Sequence, residues 1–303
     1  MLKKLTLVLA FLLVVTVVRA ADSLLPPPKH GGVYVAAHRG AHEGIPENTL
    51  AAYQKAIDLG ADFVEIDVRT TKDGKFVSVH NSTIDSYAPG HTGRVSEMTL
   101  DELRALDIGS RVGPEWAGTK IPTFEEVLDL CKGKIGIYLD LKAAPVPPLV
   151  EAIKARGMER NVIWYVGGPQ LHELKEVCPE CIPMPDPGPE ENLAKLLADE
   201  KPRIVASVWE YYSKSFLDAC HKAGAIVIVD ESDPTCWEQA LAWGTDGIQT
   251  DHPADLIKLL EERAKKTADA GEAANAEDLR AGKERLKSLD QQRKYQEKQQ
   301  ARR

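Results

Sequence analysis

Apolar and polar positions alternate with a period of two in several short runs of this chain, and between most of those runs the spacing lengthens to that of a helix. The runs are 33–37 (VYVAA), 63–68 (FVEIDV), 76–80 (FVSVH), 135–141 (IGIYLDL), 162–166 (VIWYV), 203–208 (RIVASV), 225–229 (AIVIV) and 247–250 (GIQT). Eight strands that alternate with helical segments predict a (β/α)8 barrel, with one face of each strand turned to the helices and the other to the barrel interior. The helix signals agree. Pro46-Glu47-Asn48-Thr49 starts a helix in which Leu50, Tyr53 and Ile57 share a face and which Gly60 stops, and Thr99 with Glu102 and Thr123 with Glu126 have capping-box spacing. Two stretches depart from the ideal. The link RTTKDGK is too short for a helix, and 81–134 is long enough to be an insertion after the third strand carrying two helices; 181–185 (CIPMP) is a candidate ninth strand.

The ends of the chain have a different pattern. Residues 1–20 carry Lys3 and Lys4, an apolar run from Leu5 to Val18 and a small-residue cleavage site before Ala21, which reads as a secretory signal peptide. The run is shorter than the ~20 residues a membrane-spanning helix needs, so the expectation is an exported protein, periplasmic or extracellular, with no stable membrane insertion after cleavage. A Pro/Gly linker over 21–32 leads into a barrel domain over 33–260, and 261–303 is a charged tail, helical or disordered. Of the five cysteines, Cys178 and Cys181 have knuckle spacing but no companion pair to complete a zinc site, which leaves a small oxidised loop or plain buried thiols. A formal net charge of -8 argues against a nucleic-acid partner, so an anionic small-molecule substrate must meet a locally basic or metal-loaded site.

Strand alternation then sorts the chemistry. Val64, Ile66 and Val68 form the apolar face of their strand, which leaves Glu65 and Asp67 together on the other. Two carboxylates one repeat apart in a barrel interior repel each other and lose hydration; a hard divalent metal with oxygen ligands relieves both costs. By the same rule Tyr138, Asp140 and Lys142 share a face, as do Ser78 and His80, and Ala36 and His38. Each strand thus delivers a polar group near its C-terminal end, where barrel enzymes build their sites. His38, His80, Glu65, Asp67, Asp140, Arg39 and Lys142 together suit a phosphate ester: metal and cations to neutralise the phosphoryl oxygens, one imidazole to take a proton and the other to give one. His42 lies near enough to leave open.

These residues sit in AHRG, PENT, EIDVRTTKDGKFVSVH, TLDELRALDIGS, IPTFEEVLDL, YLDLK and GTDGIQTDHP, a series in which the chain resembles the glycerophosphodiester phosphodiesterase family over Val35 to Pro253. The resemblance implies that His38 and His80 are the acid-base pair, that Arg39 and Lys142 bind phosphate, that Glu47 supports the site, and that Glu65, Asp67 and Asp140 hold one calcium or magnesium ion. It implies hydrolysis of a glycerophosphodiester to glycerol 3-phosphate and an alcohol, with the glycerol 2-hydroxyl as a first nucleophile. The chain departs from the family pattern at Asn81, where an Asp is usual, at Asp140, often Glu, and at VIVDES, where the family's aromatic strand end gives way to Asp230 and Glu231. The last change bears on the alcohol pocket, turning it towards a cationic head group, with Trp209 and Trp164 as candidate aromatic walls. Two alternatives remain: a phospholipase D-like enzyme or lyase on lysolipids or sphingolipids that leaves a cyclic phosphate, and a non-catalytic binding protein.

Overall fold

A computed structural model describes residues 24–231, 233–271 and 284–285. The signal-peptide reading and most of the charged tail therefore lie outside the described residues. The strands are β1 (Tyr34–Ala37), β2 (Phe63–Thr70), β3 (Phe76–Ser78), β4 (Gly136–Ala143), β5 (Val162–Tyr165), β6 (Ile182–Met184), β7 (Ile204–Val208), β8 (Ile226–Asp230) and β9 (Gly247–Thr250). The helices are α1 (Leu50–Leu59), α2 (Leu100–Ala105), α3 (Phe124–Cys131), α4 (Val146–Lys154), α5 (Gly168–Val177), α6 (Leu193–Glu200), α7 (Lys214–Lys222), α8 (Trp237–Trp243) and a last helix, α9, over 253–271.

Eight strands run parallel in the order β6-β5-β4-β2-β1-β9-β8-β7. The Ala206 amide donates to the Pro185 carbonyl at 3.0 Å across the seam between β7 and the end of β6, which all but closes the barrel. Val64, Ile66 and Val68, together with Ile137, Leu139, Val205, Val227 and Ile248, pack outward in the core shared with the helices. Ala36, Phe63, Tyr138, Ile163, Ile182, Met184, Ile204, Ala206 and Ile228 fill the interior. The alternation read from the sequence is the division between these two cores.

Two strand assignments change. The run at 76–80 is not a stave of the barrel: β3 pairs antiparallel with β2, Val68 opposite Ser78, so RTTKDGK is a hairpin turn. The stave that completes eight is the CIPMP segment, β6, kept to three residues between Cys181 and Pro185. Beyond β3 the chain builds a small core of its own from Val77, Val79, Ile84, Tyr87, Val95, Leu103, Ile108 and Ile121. Of the two helices in 81–134, α3 packs beside α1 around the barrel.

Local signals account for most boundaries. Thr49 caps α1 by accepting from the Ala52 amide, and Gly60 ends it at φ +79, a left-handed conformation in which a side chain is strained. The buried face of α1 is Ala52, Tyr53 and Ala56, while Leu50 is exposed. Both capping boxes are present, at Thr99/Glu102 and Thr123/Glu126. The Pro/Gly segment before β1 does more than link. Leu25 is buried in the barrel's interior core, Lys29 donates to Asp62 and to the Ala61 carbonyl, and Tyr34 donates to the Pro26 carbonyl, so the segment plugs the end of the barrel where its strands begin. Cys178 and Cys181 form a disulfide; Cys131, Cys220 and Cys236 are free.

Candidate active site

At the opposite end, where the strands finish, β2 and β4 run in register with Glu65 beside Tyr138 and Asp67 beside Asp140. Ligand oxygens of Glu65, Asp67 and Asp140 all lie within 4.8 Å of one another. Glu65 and Asp67 are buried. Desolvation, with Asp67 and Asp140 adding repulsion, holds the Glu65 carboxyl well above the ordinary carboxylate range; burial raises Asp140 too, against the pull of Lys142. Lys142 Nζ sits 2.6 Å from Asp140 and 3.4 Å from Asp67 Oδ1, yet that buried Oδ1 has no hydrogen bond. Three close carboxylates, one with an orphaned oxygen and one pushed towards its neutral form, suit a hard divalent cation.

The turn after β1 brings the cations. Arg39 takes φ +54, and its amide donates to Glu65 Oε2 at 2.7 Å. The guanidinium donates to Glu47 at 3.1 Å and lies 3.8 Å from Asp67, while its buried Nε has no acceptor. Burial alone would lower the Arg39 pKa, but Glu47, Asp67 and Glu65 together hold it above the usual arginine value. The Tyr87 hydroxyl donates to Glu47 at 3.1 Å, tying the insertion to the arginine clamp. Gly40, at φ +85, is the turn residue: a Cβ there would stand 2.8 Å from the backbone carbon of Ala52.

The two histidines flank this centre with different partners. His38 Nδ1 is 2.7 Å from Asp251 Oδ1, and since a carboxylate only accepts, Nδ1 carries the hydrogen and Nε2 is left as the basic nitrogen, 4.0 Å from Glu65. His80 Nδ1 donates instead to the neutral Asn81 amide oxygen at 2.9 Å, and Asn81 is itself held by Ser86 at 2.8 Å. His42 joins the first pair, with Nε2 3.6 Å from Asp251.

Asn48, Asp251, Tyr87, Ser78 and Tyr53 complete the site but are not among the site residues that the sequence predicts. Asn48, at φ +54, donates to Asp67 Oδ2 at 2.7 Å, and its Oδ1 accepts from Tyr53 and Ser78 at 2.7 and 3.0 Å. It is the buried residue that fixes which Asp67 oxygen faces the centre. Three of the five carry a signal in the chain: Asn48 stands inside PENT, Ser78 shares a strand face with His80, and Asp251, in GTDGIQTDHP, directly follows β9. The aromatic walls are placed elsewhere. Trp209 stacks on Trp243 with centroids 5.6 Å apart and packs against Tyr212, and Trp164 is wholly buried among the outward core residues.

Comparison with known proteins agrees with this geometry. The sequence pattern of the Glycerophosphoryl diester phosphodiesterase family matches residues 38–166. A glycerophosphodiester phosphodiesterase of Caldanaerobacter subterraneus subsp. tengcongensis is 32% identical over 246 residues, 75% of this chain and 97% of that one. Among solved structures, a glycerophosphodiester phosphodiesterase from Agrobacterium tumefaciens superposes with a TM-score of 0.66 at 26% identity, over 75% of this chain and 99% of its own. One from Thermotoga maritima gives 0.62 at 27% identity, over 75% and 98%.

Proposed function

The chain belongs to the glycerophosphodiester phosphodiesterase family, and from that premise we propose that it is an exported, divalent-metal-dependent hydrolase that converts glycerophosphodiesters to glycerol 3-phosphate and a free alcohol. The observation that carries this reading is the meeting of three carboxylates, Arg39, Lys142 and two differently partnered histidines at the open end of one barrel.

Glu65, Asp67 and Asp140 would hold the ion; bound there, calcium or magnesium supplies charge neutralisation at a phosphoryl oxygen, and the all-oxygen donor set accommodates either. Arg39 meets the phosphate with a guanidinium already oriented by Glu47, and Lys142 adds a second positive charge from β4. His38 is the general base. Asp251 keeps the hydrogen on Nδ1 and compensates the charge that appears on the ring when Nε2 accepts a proton from the attacking hydroxyl, either a water or the glycerol 2-hydroxyl, whose attack expels the alcohol and leaves a cyclic phosphate that water then opens to glycerol 3-phosphate. His80 is the general acid, oriented by a neutral amide that adds no charge to retain its proton. The apolar side chains of the insertion are taken up in a small core of their own, and Val112 is its exposed large apolar residue, which favours a water-soluble diester over a lysolipid substrate.

Export rests on the N-terminal apolar segment and gains support from the Cys178–Cys181 disulfide, a bond typical of oxidising compartments. Among the described residues no helix is long and apolar enough to cross a membrane. The test is release of glycerol 3-phosphate from a panel of glycerophosphodiesters by the mature protein. Chelation and His38→Ala should each abolish it, and undiminished turnover after either would refute the reading.

A further inference from the structure

Across the barrel mouth from the carboxylate triad lies a second polar group that the proposed chemistry does not use. Asp230 ends β8 on the inner face, two residues after the interior Ile228, and pairs in register with Gln249 of β9 and Val208 of β7. Gln249 is buried, 4% exposed, and turned inward, since its neighbour Ile248 packs outward. It sits in register beside Asp230, and its Oε1 is a buried acceptor with no hydrogen-bond partner. The next staves extend the wall: Met184 on β6 and Tyr165 on β5, whose hydroxyl donates to Asp186 at 2.9 Å.

We propose that Asp230 and Gln249 form the subsite for the leaving alcohol and select one that carries a primary ammonium group, so that the preferred substrate is a glycerophosphodiester of ethanolamine type. This rests on the phosphodiesterase reading and names the substrate of that same site.

The charge balance favours a cation. Burial pushes the Asp230 carboxyl up, and Arg39, the guanidinium that opposes this, is engaged by Glu47. A polyol arm would give Gln249 a donor and leave the half-buried Asp230 carboxylate without a counter-charge. A quaternary ammonium would supply the charge but has no N–H for Gln249 Oε1. A primary ammonium supplies both, one N–H to Asp230 and one to Gln249, with its short chain along Val208, Met184 and Tyr165.

The experiment measures kcat/KM of the mature, metal-loaded enzyme for glycerophosphoethanolamine, glycerophosphocholine and glycerophosphoglycerol, in wild type, Asp230→Asn and Gln249→Leu. The wild type should prefer the ethanolamine ester over the glycerol ester by about tenfold or more, the scale of one hydrogen bond to a charged group. Asp230→Asn should cut that ratio by a similar factor, chiefly through KM. Gln249→Leu should narrow the gap between ethanolamine and choline esters. Equal kcat/KM for the three esters in wild type, or a loss shared equally by all esters in Asp230→Asn, overturns the proposal. Should Asp230→Asn fail to fold, the wild-type ratios and Gln249→Leu still decide. Hydrolysis of none of the esters by wild type would instead be failure of the phosphodiesterase reading itself.

Discussion

Glu65 shows how the site strains a single residue. Its carboxyl is buried beside Asp67 and Asp140 and its pKa stands well above the ordinary 4.5, so in the metal-free protein the folded state holds a proton that the unfolded chain has released. The folded state then binds more protons than the unfolded state, and stability falls as pH rises from about 4.5 towards the folded-state pKa. Denaturant titrations with chelator should show the metal-free protein gaining stability on mild acidification, a trend that saturating calcium or magnesium reverses by demanding the ionised carboxylate. Glu65→Gln should flatten the slope and abolish stabilisation by metal; an unchanged slope would remove Glu65 as its source. Asp251 offers a second test. With Asn in its place the His38 ring loses both its fixed hydrogen and its compensating charge, so kcat should drop about 10²-fold or more with little change in KM, read by steady-state kinetics.

The elements show what could be read from the chain and what could not. Turn chemistry and alternation are local, so β2, β4 and the caps at Thr49, Thr99 and Thr123 stand where their residues place them. Pairing direction is not local. FVSVH alternates as well as any stave, and nothing in its pattern says that it folds back on β2, whereas β6, with Pro183 at its centre and Pro185 at its end, advertises only enough to stand as a ninth candidate. The site divides in the same way. Glu65, Asp67, Asp140 and Lys142 follow from period two, and His38 from the end of its strand, but Asn48 reaches Asp67 from a loop through a positive φ that no periodicity reveals. Trp209 looks like a pocket wall until α8 presents Trp243 to it. At this scale the β1–α1 turn makes a sharp prediction. Gly40→Ala drives a methyl to 2.8 Å from the Ala52 backbone at φ +85, whereas Gly44→Ala, at φ +70, meets nothing within 4 Å. The first should cost on the order of 1–3 kcal/mol more than the second in thermal or denaturant unfolding and should displace His38 and Arg39. Comparable costs would mean that the turn yields without strain.

Over the whole molecule, the two ends of the barrel have separate duties. One carries the carboxylates, cations and histidines; the other is stoppered by the segment before β1, through Leu25 among the interior side chains and Lys29 on Asp62. His30 stitches the stopper to the body, reaching the Gly60 carbonyl at 3.0 Å and Glu261 of α9 at 3.1 Å. A side chain at 4% exposure inside a barrel's closed end contributes through packing, so Leu25→Ala should destabilise the protein by about 2–5 kcal/mol. The catalytic groups sit at the far end of the same strands, with layers of Phe63, Tyr138, Ile163 and Ile228 between. Below its lowered melting temperature the variant should therefore keep wild-type kcat and KM. A melting shift with unchanged kinetics, measured on one preparation, would establish the stopper as a stabilising device. A fall in kcat at a temperature where the fold is intact would show instead that the barrel transmits packing at its base to the geometry of its rim.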